Sequence, residues 1–266
     1  MTRYCLAIML LSPFVRAYAQ EPLADRYSVS IGAYSVDART SARVDAAGGK
    51  IGTSFSFEDD LGMNPDAWAR DFGFTARVRE RHRFELEKFA FDRSGERSNT
   101  RQLNIRDDVY DVGLVLETSF DTDVTRLSYS YLFARDNNHE VGVAVGVHVT
   151  DFSMGVRVAF LPLTSATEES AGTTAPLPVV GAHGAYRPFP RWIFRGQAQI
   201  LRLEAGGYDG ALNHVALEME HNTFRHLGFG VALDYFEVDL DSTEPKVVGA
   251  FNLTFSGPRL FMRGHF

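Results

Sequence analysis

The sequence predicts an all-β chain closed into an antiparallel, up-and-down transmembrane β-barrel of about ten strands. Three observations carry that expectation. Period-two alternation of apolar and polar residues recurs from end to end, and no long window keeps a helical period. Arg3, the apolar run Cys5–Val15 and the small-x-small triplet Ala17-Tyr18-Ala19 fit a secretory leader cleaved after residue 19. The closing stretch Phe251–Phe266 alternates and ends on an aromatic side chain.

The leader is too short to span a bilayer, which takes about 20 apolar residues. Cys5, the single cysteine, lies inside it, so the mature segment 20–266, read as one barrel domain, has no thiol, disulfide or lipoprotein anchor. Cleavage removes two arginines and no acid, which makes the chain more acidic than its formal charge of −7. That balance excludes a nucleic-acid partner.

The clearest strand is 140–150, where Val141, Val143, Val145, Val147 and Val149 share one face and Gly142, Ala144, Gly146, His148 and Thr150 the other. The same two-faced pattern recurs around Phe72, Leu127, Phe194, Leu217 and Val231. Alternation alone also suits a soluble sandwich. Runs of about ten residues with Tyr, Trp or Phe towards their ends suit a lipid-facing band. Short turns at 79–81, 134–138, 188–190 and 221–225 then divide the chain into ten strands. These span 26–38, 67–79, 82–94, 116–134, 138–152, 176–187, 191–204, 210–222, 225–239 and 246–266.

The long connections fall on the opposite, outer side. The first, 39–66, is long enough for a hairpin of Thr40–Ala46 against Ile51–Phe57. If that hairpin entered the membrane the count would be twelve, and an irregular end strand would make it eight. The third, running through LTSATEESAGTTAP, reads as a mobile Ser/Thr-rich loop.

By the same alternation Arg77, Arg79, Glu85, Glu87, Arg126, Arg195, Glu218, Glu220 and Asp234 point into the lumen. They would form either the lining of a small pore or a salt-bridged plug. Unpaired charge in a low-dielectric interior is costly and small barrels have little spare room, so the plug is expected. His148 and His214 also face inward and are the candidates for any catalysis. Hydrolysis needs a base, an orienting group and a nucleophile within hydrogen-bond reach, and the sequence contains no G-x-S-x-G and no H-E-x-x-H. Ordinary hydrogen bonding is the expected role.

Glu58-Asp59-Asp60 could chelate a divalent ion bridging lipopolysaccharide phosphates, or could be solvated loop surface, which is the expectation. No metal or other cofactor is expected. In the last strand Phe251, Leu253 and Phe255 are odd-numbered, whereas Leu260, Met262 and Phe266 are even-numbered. Both sets are expected to face lipid, joined by a bulge of one inserted residue at Gly257-Pro258.

The mature chain resembles the small outer-membrane β-barrel proteins of Gram-negative bacteria, an uncharacterised barrel family. The stretches that carry the resemblance are FEDDLG (57–62), GVHVTDF (146–152) and SGPRLFMRGHF (256–266). It implies residence in the outer membrane, contact with its lipid and lipopolysaccharide, and insertion by the barrel-assembly machinery. Leu260, Met262 and Phe266 would be the signal that machinery reads, with Gly264 departing from the usual apolar position. The expected protein is a monomer with a polar, mostly filled lumen and a non-catalytic role in membrane structure, surface interaction or weak small-solute passage. A porin-like channel and a lipid-modifying enzyme using a lumen histidine are the other readings.

Overall fold

The computed structural model describes residues 25–46, 50–105, 108–161, 166–205, 208–244 and 247–266. The leader expected over 1–19 lies outside them.

Eleven strands make one sheet: β1 Tyr27–Ala46, β2 Lys50–Ser56, β3 Asp66–Val78, β4 His82–Ile105, β5 Asp108–Arg135, β6 His139–Leu161, β7 Ala166–Phe189, β8 Trp192–Ala205, β9 Tyr208–Phe224, β10 Leu227–Glu244 and β11 Val247–His265. Each of β3 to β11 pairs antiparallel with its sequence neighbour, and β11 pairs with β1, which closes a ten-stranded barrel. Closure leaves no edge in the membrane, where an unpaired backbone group would cost several kcal/mol. The seam runs from Ser28↔His265 to Val44↔Gly249. The remaining strand, β2, is the hairpin expected in the first outer connection. It pairs with the upper half of β1, at Ser41↔Ser56 and Ala42↔Phe55, while β3 takes the lower half. The membrane count therefore stays at ten.

Alternation sorts the side chains as expected. Val143 and Val145 are 54% and 55% exposed on the outer surface, whereas His148 and Thr150 are fully buried. Tyr131, Tyr186, Phe189, Phe224 and Phe266 ring the short-turn end of the outer surface, and Trp68 and Tyr235 stand towards the other end. That is the aromatic girdle of a lipid-facing band.

Two expectations are corrected. The stretches read as outer loops at 95–115 and 153–175 are largely strand: β4 pairs with β5 up to Ile105↔Asp108, and β6 with β7 up to Ala159↔Ala166. Cross-strand pairing overrides the weak β-propensity of their Gly, Asn and Glu residues. From Ala90 to Ile105, at about 3.3 Å per residue, some 50 Å of strand continues past the lipid-facing run.

The pairing of β7 with β8, by contrast, stops at Val180↔Ile200. The next two positions of the same parity on β7, Pro178 and Pro176, have no N–H to give a partner. A tall wall of β4 to β7 thus parts from a shorter one of β8 to β11 and β1.

The second correction concerns β11. Its register with β10 runs unbroken from Leu227↔Gly264 to Glu244↔Val247, and its register with β1 is the same on both sides of Gly257. There is no bulge. The odd-numbered Phe251, Leu253 and Phe255 face inward with Arg259, Phe261, Arg263 and His265, and the even-numbered Leu260, Met262 and Phe266 face outward. Apolar residues on the inward parity pack inside the outer half of the barrel and have no need of lipid.

Gly257 is required for another reason. A Cβ there would overlap the Ser35 carbonyl oxygen on β1. Gly257→Ala is expected to cost about 1–3 kcal/mol through that overlap. The measurement is the urea midpoint for unfolding from lipid vesicles, and an unchanged midpoint would show that β1 yields without strain.

Candidate functional site

The lumen holds the chain's buried polar chemistry, and its contents change with height. The lower tier, towards the short turns, is ionic. The upper tier is aromatic.

Arg259 on β11 is the hub of the ionic tier. Its Nη1 donates to Asp71 Oδ2 at 2.8 Å and to Glu87 Oε1 at 3.4 Å, its Nη2 to Glu218 Oε1 at 2.8 Å, and its Nε to Asp234 Oδ2 at 3.1 Å. One guanidinium so meets carboxylates from β3, β4, β9 and β10. Arg263 bridges Glu218 at 2.9 Å and Glu220 at 2.7 Å. Arg195 also reaches Glu220, at 2.5 Å, and His265 Nε2 lies 2.5 Å from its other oxygen. Arg126 binds Glu87 and approaches the His214 ring at 2.7 Å. A second cluster joins Arg77 to Glu140 at 2.8 Å, Glu140 to His183 at 3.1 Å, and Arg83 to Glu85 at 2.8 Å. Charges this buried persist because each meets opposite charge at hydrogen-bond distance, although the Arg77 Nε has no hydrogen-bond partner among the described residues.

Above this tier Phe255 is the centre of a ring cluster. It stacks on Phe236 at 4.6 Å and meets Phe89, Phe91 and Tyr34 edge-on at 5.4, 5.5 and 6.2 Å. Phe57, Phe120, Phe152 and Phe251 continue the cluster upward. Edge-to-face contacts match ring edges to ring faces and add to the area buried. The expectation of a polar lumen therefore holds for the lower half and is corrected for the upper. Two voids lie in the ionic tier, one beside Arg83 and Glu85 and one beside Asp71 and Arg126, each about 10 Å³. Neither has room for more than about one water.

These observations settle the architecture: a closed ten-stranded barrel with a lipid-facing band, an aromatic girdle and short turns at one end. No protein-family model matches the sequence, and no curated protein matches it. Among solved structures, the outer membrane protease OmpT from Escherichia coli superposes with a TM-score of 0.61 over 93% of this chain and 100% of that one, at 11% identity. The chain has the fold of the Gram-negative outer-membrane β-barrels. Ail, the attachment invasion locus protein of Yersinia pestis, aligns over 90% of this chain and 99% of that one at 8% identity, with a TM-score of 0.33. The toluene transporter TodX of P. putida aligns over 91% and 90% at 6% identity, with a TM-score of 0.34.

Of the residues read as inward-pointing, the barrel places Arg77, Glu85, Glu87, Arg126, Arg195, Glu218, Glu220 and Asp234 in the ionic tier. Arg79 is the exception. It sits exposed in the turn after β3 with φ 58°, where the chain reverses and parity no longer fixes a face. Arg259, Arg263, His265, Arg83 and Glu140 also belong to the network. Their parity carried the signal, since each stands next to an outward apolar residue such as Leu260, Met262 or Val141.

His148 and His214 come within 5.9 Å of each other, ring to ring. His148 Nε2 is 2.6 Å from Gln199 Oε1, and its Nδ1 has no hydrogen-bond partner among the described residues. His214 lies 3.6 Å from Asp234 and faces Arg126. A base–orienter–nucleophile arrangement of the kind hydrolysis needs is not formed at either ring among the described residues.

Glu58 turns inward and accepts from Arg93 Nη1 at 2.5 Å and from the Thr40 N–H at 3.1 Å, while Asp60 accepts from the Ser56 N–H at 2.8 Å. Glu58 thereby ties the turn after β2 to β1 and β4, and Asp60 closes that turn on the end of β2. Among the described residues no group of three or more His, Cys, Asp or Glu side chains could hold a metal ion.

Proposed function

We propose that the chain is a non-conducting outer-membrane barrel whose task lies outside its lumen, as a rigid mount for the β-wall that rises above the lipid-facing band. One observation carries this reading: the lumen is filled twice over, by an ion-paired tier and by a phenylalanine tier. A permeating solute would have to displace both. Breaking a buried pair costs about 3–5 kcal/mol, and opening the ring cluster costs comparable packing energy.

The wall of β4 to β7 offers paired, ordered backbone well beyond the lipid-facing run, which suits surface interaction. The fold alone selects no activity, since one architecture hosts many. On this reading the outer membrane is the location, and its lipid and lipopolysaccharide are the surroundings of a monomer. Leu260, Met262 and Phe266, all outward, would meet the assembly machinery during insertion.

Single-channel recording in planar bilayers tests the proposal. A protein that inserts, as shown by its heat-dependent gel mobility, and stays electrically silent supports it. Discrete conductance steps would overturn it in favour of a channel.

A further inference from the structure

The outer surface of the barrel is not evenly clad. Across β7 and β8 the outward positions are Ala182, Gly184, Gly196 and Ala198, paired as Ala182↔Ala198 and Gly184↔Gly196. Their neighbours on β5 and β6 are Tyr129, Tyr131, Val143 and Val145. Side chains of unequal height leave a groove of about 530 Å³, bounded above by Val180 and Ile200. Its lining is apolar, and its volume is in the range of small-molecule sites.

At the short-turn end the groove passes into a cationic corner. Tyr131, one of its walls, accepts a hydrogen bond at its hydroxyl from Arg81 Nη1 at 3.4 Å. Arg135 is tied to the same turn, its Nη1 donating to the Glu80 carbonyl at 2.7 Å, and Arg79 stands exposed beside them. Two acids share the corner, Glu80 and Asp136. Asp136 is engaged with its own turn, accepting from the Asn138 and His139 N–H groups at 2.7 Å each, which holds its carboxyl below the usual carboxylate range. An apolar channel running to guanidinium groups at the level of the aromatic girdle matches a molecule with an apolar tail and an anionic head.

We propose that this groove is a binding site for one anionic phospholipid, its acyl chain along Ala182 and Ala198 and its phosphate on Arg81 and Arg135. The short-turn end is the periplasmic end of such barrels, so the lipid belongs to the inner leaflet. The site is independent of whether the lumen conducts. Charge complementarity selects the head, because a basic residue close to an anionic membrane surface contributes about fivefold in affinity. The tail selects little, since lipid surrounds the barrel, but a groove holds a chain longer than a convex wall does.

The test uses the full barrel in phosphatidylcholine nanodiscs with a trace of spin-labelled phosphatidylglycerol or spin-labelled phosphatidylcholine, reading the immobilised fraction by electron spin resonance. The expected preference for phosphatidylglycerol is about fivefold or more, falling to within about twofold in Arg81→Gln/Arg135→Gln. Ala182→Leu/Ala198→Leu fills the groove with residues the lipid face tolerates, and should reduce immobilisation of both labels. Heat-dependent gel mobility confirms that each variant is folded. Equal immobilisation of the two labels by the wild-type protein overturns the proposal, as does an unchanged signal in the groove-filled variant. If filling the groove instead turns a cross-linkable dimer into a monomer, the occupant is a second copy of this chain and the lipid assignment fails.

Discussion

Arg259→Met is expected to destabilise the barrel by about 3–5 kcal/mol, the range for removing one partner of a buried ion pair. The side chain is 3% exposed and serves Asp71, Glu87, Glu218 and Asp234 together. Methionine fills much of the volume but leaves those carboxylates facing one another, with Glu87 held by Arg126 and Glu218 by Arg263. Asp71 has no other salt-bridge partner among those described, so its charge is stranded most completely. Urea unfolding from lipid vesicles measures the loss. The triple variant Arg259→Met/Asp71→Asn/Asp234→Asn should recover much of it, because the stranded charge leaves with its partner. A loss below about 1 kcal/mol would show that water reaches these carboxylates, and the plugged lumen would have to be abandoned.

Phe255→Ala is expected to cost about 3–5 kcal/mol by the same measurement, from the transfer of a buried ring and the cavity it leaves. Phe255 is 2% exposed and touches four rings from three other strands: Tyr34 on β1, Phe89 and Phe91 on β4, and Phe236 on β10. Its loss removes ring contacts to both neighbours of β11 and to β4 beyond β3, not along one seam. The variant should nevertheless remain electrically silent, since the ionic tier below is untouched. Conductance in Phe255→Ala alone would mean that the aromatic tier is the whole seal and that the ion pairs leave a path.

The faces of the strands were legible because side-chain parity is a property of the backbone. Val141 to Val149, Leu127 and Val231 needed no partner strand to show which residues sit together. Parity does not say which face is dry. Phe251, Leu253 and Phe255 look like lipid contacts if every apolar face is assumed to meet lipid, and that assumption created the need for a bulge at Gly257-Pro258. Only the pairing with β10 and β1 shows that they share their face with Arg259.

The upper half of the barrel was hidden for a related reason. Ser94 to Thr100 and Ser170 to Thr174 have loop-like composition, and their strand conformation comes from neighbours distant in the sequence. The ion network was legible in membership and illegible in wiring: alternation sends Glu87 and Arg126 inward but cannot make Arg259 the group that joins four strands.

Arg259, Arg263 and His265 all arrive on the final strand. The strand that closes the sheet thus also brings the groups that meet Asp71, Glu218 and Glu220 inside the lumen. A barrel without β11 would lack its closing hydrogen bonds and leave those carboxylates without Arg259, Arg263 and His265. Closing the sheet and filling its interior are therefore one event.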